Sequence, residues 1–204
     1  MSTDKIPESI KYILTLTVIC LITASLLTGV YFLTRPKIIE QKSQEEKQAL
    51  KEVLPEAGYF EPVESEDKGS YFKAYSSSDK KKLLGYAFRT KARGYSGEIE
   101  TIAGMNTQGR ITGIKILAQN ETPGLGARIN EVLIKKTLWQ AIKEFFTGGR
   151  ISKVSDKPWF CAQFEGKKIE ELKDIQAITG ATISSQALTD SVRERAKEIL
   201  KYEQ

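Results

Sequence analysis

The sequence predicts an α+β protein in two parts: a single N-terminal transmembrane helix with a helical stalk, then a globular domain with a mostly antiparallel sheet and flanking helices. Three observations predict it. Residues 12–33 contain no Asp, Glu, Lys or Arg. Short runs with period-two alternation follow, separated by turn residues. Finally, the strand and helix signals do not alternate strictly, which favours an antiparallel sheet over a doubly wound parallel one.

The apolar run comes first, after a tail of residues 1–11. As a helix, residues 12–33 span ~33 Å at ~1.5 Å per residue, close to the ~30 Å hydrocarbon core of a bilayer. Tyr12 stands at one end, with Tyr31 and Phe32 at the other, where amphipathic rings favour the interface. A cleaved signal peptide is the rival reading, but the run is long for one and no A-x-A site follows. Thr15, Thr17, Thr23 and Thr28 are tolerable there because a hydroxyl bonds back to its own helix. Flanking charges (Lys5 and Lys11 before, Arg35 and Lys37 after) barely differ, so they do not set orientation.

Residues 34–55 read as a stalk: polar, helix-prone from Ile38 to Val53, and ended by Pro55. Residues 56–204 form the globular domain. Tyr71–Tyr75 and residues 84–88 suggest a strand–turn–strand unit across Ser76, Ser77, Ser78 and Asp79. Residues 98–103 and 111–118 suggest another, joined through Asn106-Thr107-Gln108-Gly109. Residues 127–146 have helical spacing, with Ile129, Val132, Leu133, Leu138, Ile142 and Phe146 apolar. A last helix is expected over 185–202, opening in serines suited to capping.

Composition narrows the function. Net charge is +5 with a pI of about 9.0, but lysines are interleaved with acids. No basic–aromatic stripe appears, so nucleic-acid binding is not expected. There is no histidine, the commonest metal ligand and general base. Cys20 and Cys161 lie far apart and form no CxxC pair. Redox chemistry would therefore need an organic cofactor.

Two loops carry the remaining signal. Asn120-Glu121-Thr122-Pro123-Gly124-Leu125-Gly126 combines glycine freedom with a proline-stiffened entry. Thr179-Gly180-Ala181-Thr182-Ile183-Ser184-Ser185 places small residues and hydroxyls ahead of a helix, an anion-tolerant arrangement. On spacing alone, a glycine turn and simple helix capping explain both equally well. An unactivated threonine hydroxyl is also a poor nucleophile. An anchored, non-redox binding or assembly module and a free-standing flavoenzyme are alternatives, although no cluster resembles a substrate proton donor.

The second loop resembles the [S/T]-G-A-T-x-[S/T] flavinylation motif of the FMN-binding domain family. That domain occurs in RnfG, the G component of the Rnf complex (an ion-translocating ferredoxin:NAD oxidoreductase), and in the C component of the sodium-pumping NADH:quinone reductase. The first loop resembles the family's E-T-P-G-L-G run. Gly94-Tyr95-Ser96-Gly97 resembles its G-Y-x-G element. Trp159-Phe160 with Gln163-Phe164-Glu165-Gly166-Lys167 resembles its W…Q-F-x-G-K stretch. Order and spacing agree along nearly the whole chain, and the short length is nearer to RnfG. Two positions depart from the pattern: Gln119 stands where the family often has His, and Gln176 where it often has Asp.

The resemblance implies FMN bound covalently, as a phosphoester, to Thr182. It implies that a flavin transferase makes this bond from FAD, which removes the problem of the unactivated hydroxyl. Around the cofactor it implies Thr179, Gly180, Ala181, Ser184, Ser185, Glu121, Thr122, Gly124, Leu125, Gly126 and Tyr95, with Tyr95 or Leu125 against the flavin ring. Thr182 is then a tether, with no catalytic residue or metal. The implied partners are the other membrane subunits of an Rnf-type complex. The implied location is the cytoplasmic membrane of a bacterial or archaeal cell, with the soluble domain on its outer side.

Overall fold

The structure is a computed structural model that describes residues 8–63, 70–77, 79–132 and 157–203. The chain divides into two compact units, residues 1–45 and 46–204.

The first unit is helical. Helix α1 (Glu8–Val53) is continuous, in place of the separate membrane helix and stalk helix that the sequence predicts. Pro36 lies inside it and removes one backbone donor. The turns on either side continue nonetheless. Thr15, Thr17, Ser25, Thr28 and Thr34 each donate a hydroxyl to the carbonyl four residues back, all at 2.8 Å. Each hydroxyl is thus satisfied within the helix, which removes the cost of placing it in hydrocarbon. Residues Ser9–Val53 are long and apolar enough to cross a membrane. The helix stops just ahead of Pro55, since the residue before proline disfavours helical dihedrals.

In the second unit, strands β1 (Tyr59–Val63), β2 (Tyr71–Tyr75), β3 (Leu83–Arg93), β4 (Glu98–Asn106) and β5 (Ile111–Gln119) form one antiparallel meander in sequence order. Strand β1 is not predicted by the sequence pattern. It is an edge strand, and edge strands tolerate Pro62. The turn through Asn106 closes as expected: Gly109 N–H donates to the Asn106 carbonyl at 3.1 Å, and Asn106 N–H to that of Arg110 at 2.9 Å.

The period-two pattern sends alternate residues to two cores. On one face Tyr86, Phe88, Ile99, Ala103 and Met105 pack with Leu188, Val192, Ala196 and Ile199 of helix α3 (Thr182–Glu203). On the other, Ala74, Ala87 and Ile102 pack with Ala49, Leu50, Val53 and Leu54 at the end of α1. The second contact is close. A Cβ at Gly104 would lie 2.9 Å from the Val53 carbonyl oxygen, and Thr112 Oγ1 donates to that same oxygen at 2.6 Å.

The helix expected over 127–146 is only partly described, and that part differs. Gly126–Asn130 is a 3-10 turn; the remainder, from residue 133, lies outside the described residues. The short helix α2 (Trp159–Ala162) and a second 3-10 turn (Ile169–Asp174) have no counterpart in the sequence pattern. Tertiary packing holds them, with Phe160, Phe164 and Leu172 fully buried. The last helix begins at Thr182, three residues earlier than expected, so its serines lie within its first turn.

Candidate functional site

One end of the meander gathers three loops. The β3–β4 hairpin turns through Gly94-Tyr95-Ser96-Gly97, closed by Gly94 N–H to the Gly97 carbonyl at 2.8 Å. Strand β5 ends at Gln119 opposite Ile99, at the same edge, and runs into the 120–126 loop. Helix α3 begins beside them.

Glu121 is the pin through all three. It is only 6% exposed. Its Oε1 accepts the N–H groups of Ser96 (3.1 Å) and Gly97 (3.2 Å), and its Oε2 accepts the Ser184 hydroxyl (2.9 Å). One buried carboxylate thus joins the hairpin, its own loop and the first turn of α3. The glycines beside it leave the room it needs: a Cβ at Gly94 would sit 2.2 Å from Oε1, and one at Gly126 2.1 Å from Oε2. Above the carboxylate, Ser96 Oγ and Thr122 Oγ1 lie 2.9 Å apart in a hydrogen bond. Gln119, at the family's histidine position, accepts the Glu121 N–H through its side-chain oxygen at 2.7 Å.

The Thr179-to-Ser185 loop is shaped by its own small residues. Gly180 has φ +83°, a left-handed conformation that favours glycine. Ala181 N–H donates to the Ile178 carbonyl at 2.9 Å, closing the turn. Ser185, 1% exposed, accepts the Ile178 N–H on its hydroxyl at 3.1 Å. Its hydroxyl therefore ties the loop back to α3. Thr182, the first helical residue, is exposed.

A cleft of about 320 Å³ opens over this helix start, lined by Tyr95, Leu125, Gly126, Gly180, Ala181, Thr182, Ile183 and Ser184. Its volume falls at the lower end of the ~300–1,000 Å³ typical of small-molecule sites. Tyr95 (73% exposed), Leu125 (50%) and Ile183 (55%) present apolar surface to it. The N–H groups in the first turn of a helix lack intrahelical acceptors and favour an anion. Apolar walls beside an anion-accepting helix start and an exposed hydroxyl suit a flat aromatic group carrying a phosphate.

Most of the sequence-derived residues come together here. Tyr95, Leu125, Gly126, Gly180, Ala181, Thr182 and Ser184 line the cleft. Glu121 and Ser185 lie buried behind it. Thr122 braces the hairpin, Gly124 supplies a left-handed turn (φ +78°), and Thr179 meets Arg128. Sequence reasoning missed three residues. Ile183 occupies the unspecified position of its motif, although an exposed isoleucine there was a readable signal. Arg128 donates from Nη1 to the Thr179 carbonyl at 3.1 Å. Gln163 grips the backbone of Gln176. The Arg128 pairing leaves no sequence signature, whereas Gln163 stands in the Trp159-to-Lys167 stretch already singled out, without its partner being readable.

The chain is similar to known proteins along its length. The FMN-binding domain family model matches residues 94–197, and that of the RnfG N-terminal region matches residues 1–53. The chain is 32% identical to the G component of the Na(+)-translocating ferredoxin:NAD(+) oxidoreductase complex of Acetobacterium woodii, over 88% of this chain and 86% of the relative. It is 29% identical to the G component of the proton-translocating ferredoxin:NAD(+) oxidoreductase complex of Clostridium ljungdahlii, over 99% and 98%. Among solved structures, Shewanella oneidensis NqrC is similar at 14% identity and a TM-score of 0.42, over 74% of each chain.

Proposed function

The chain belongs to the FMN-binding RnfG family of ion-translocating oxidoreductase complexes, and from that premise we propose that Thr182 carries its FMN covalently. The protein is an electron-transfer subunit of a membrane-bound ferredoxin:NAD oxidoreductase that moves ions, and it acts within that complex rather than as a stand-alone catalyst. When bound, FMN supplies electron transfer at its ring; the chain supplies placement.

The observation that carries the proposal is the exposed Thr182 hydroxyl at a helix start, in the floor of an apolar cleft. Thr182 Oγ1 would form the bond to the FMN-side phosphorus of FAD, supplied with a flavin transferase. The anhydride bond to the AMP phosphate would break, with AMP as the leaving group and the hydroxyl proton passing to solvent. The first-turn N–H groups of α3 would stabilise the phosphate's negative charge. Tyr95, Leu125 and Ile183 would hold the ring, and Glu121 keeps the three loops in register. Thr179, Gly180, Gly124 and Thr122 shape the loops.

We divide the chain into a tail (1–11), a membrane segment (12–33), a stalk (34–55) and a soluble domain (56–204). The domain is placed on the outer side of a bacterial or archaeal cytoplasmic membrane, against the complex's integral subunits.

The test is coexpression with a flavin transferase, followed by a denaturing gel. Wild type is expected to fluoresce yellow-green and gain one FMN phosphoester in intact mass, and Thr182→Val to do neither. A dark wild-type band refutes the attachment.

A further inference from the structure

Residues just ahead of Thr182 are held by side chains, since no strand among the described residues pairs with them. Gln163 donates from Nε2 to the Gln176 carbonyl at 3.2 Å and accepts the Gln176 N–H on Oε1 at 3.1 Å. This is the two-way exchange by which one strand residue grips another, here made by a side-chain amide. Further along, Ser185 accepts the Ile178 N–H and Arg128 donates to the Thr179 carbonyl. Ile175 enters extended, at φ −70° and ψ 127°. Gln176, Ala177, Thr179, Gly180 and Thr182 are all exposed.

The clip itself is rigidly mounted. Gln163 follows α2, flanked by Phe160 and Phe164, both 0% exposed with ring centroids 5.6 Å apart. Half-buried Gln163 spends both polar groups of its amide on one backbone residue. Without the clip, exposed Gln176 and Ala177 would sample more conformations, and ordering them costs entropy.

We propose that Gln163 is a positioning residue for flavin attachment. Its amide clip fixes the backbone at exposed Gln176, ahead of buried Ile178 and the turn at Gly180, so that the Thr182 hydroxyl is presented to the transferase and FAD in one geometry. The proposal rests on the attachment reading above. Gln163→Met keeps the length and removes both hydrogen bonds. The competent conformer then becomes a fraction of the population, and apparent affinity for the transferase falls in proportion. For two exchanged hydrogen bonds that proportion is about tenfold.

The experiment uses the full chain in detergent micelles. Amide hydrogen exchange at Gln176 is compared with that at Ile102 in the buried sheet, without flavin. Initial rates of in-gel flavin fluorescence are then measured with transferase and FAD over a range of acceptor concentrations. In Gln163→Met, the Gln176 amide is expected to exchange about tenfold faster while Ile102 is unchanged. Labelling is expected to slow about tenfold at low acceptor concentration and to recover at saturation. Unchanged exchange at Gln176 overturns the clip, and so does wild-type labelling at every concentration despite faster exchange. Should Ile102 also exchange faster, Gln163→Ala, which likewise removes both hydrogen bonds without adding an apolar tip, carries the same two readouts. An unlabelled wild type refutes the attachment itself, a result distinct from equal labelling of wild type and variant.

Discussion

Replacing Glu121 with alanine tests the site's architecture directly. The carboxylate accepts two backbone N–H groups and one hydroxyl at 2.9–3.2 Å while only 6% exposed. Hydrogen bonds to charged groups contribute ~1.5–3 kcal/mol each, and donors left buried without a partner cost ~1–3 kcal/mol. The three bonds share one anion, so they do not add fully, and removing the charge also removes its desolvation cost. The expected loss is about 3–4 kcal/mol. In a domain of this size, ~1 kcal/mol lowers the melting temperature by ~2–4 °C, so the drop is about 6–16 °C. Glu121→Gln keeps an acceptor towards the hairpin, and Ser184 is able to reverse its bond, so it is expected to lose less than half as much. The assay is thermal unfolding of the full chain in micelles, followed by near-ultraviolet circular dichroism. If alanine melts within about 1 °C of wild type, the carboxylate is not the pin.

Two further outcomes follow from neighbouring contacts. Gly126→Ala places a Cβ 2.1 Å from Glu121 Oε2, so it is expected to displace the carboxylate and reproduce most of the Glu121→Ala loss in the same melt; Gly124→Ala, whose Cβ meets nothing within 4 Å, is expected to show only the smaller backbone cost of its positive φ. At the other end of α3, burial and the bond to Glu203 push the hydroxyls of Tyr71 and Tyr86 up to about 12 from 10.0; the fold favours their neutral forms, so this stabilisation is intact below about pH 10 and is lost as pH rises towards about 12, and a Tyr71→Phe/Tyr86→Phe chain is expected to show a shallower fall in melting temperature over that window.

What the sequence made legible follows from where each element's stability originates. Strands β3 to β5 carry their own signal, because Phe88, Ile99, Met105, Ile114 and Ile116 alternate with residues of the opposite face and the Asn106–Gly109 turn is local. Strand β1 carries little: it is an edge strand with Glu61 and Pro62, and only pairing with β2 defines it. Helix α2 and the 3-10 turns are too short to be stable alone and exist because Phe160, Phe164, Ile169 and Leu172 fill the core. The 127–146 spacing suggested a helix from its start, but Leu125 N–H and Ala127 N–H both turn back to the Thr122 carbonyl, which tightens the entry. In the site, the cleft-lining residues were legible because their loops match a known motif. The contacts that brace them were not. Glu121 reaches Ser184 across 63 positions and Arg128 reaches Thr179 across 51, and no local pattern records such pairs.

The cleft's shallowness gives a physical reason for a tether. Tyr95, Leu125 and Ile183 remain at least half exposed, and sites that bind drug-sized ligands by contact alone bury ~70–90% of the ligand. An open wall of three side chains holds a flavin ring weakly. The proposed phosphoester at Thr182 would make ring docking intramolecular, at effective concentrations of order mM for a short linker. Weak contacts then suffice to seat the ring, and its outer edge stays open to a redox partner. On the proposed attachment, retention would rest on Thr182 and orientation on Tyr95, Leu125 and Ile183. The buried Glu121 couples the two, because it fixes the helix start that carries the first against the hairpin and loop that carry two of the second.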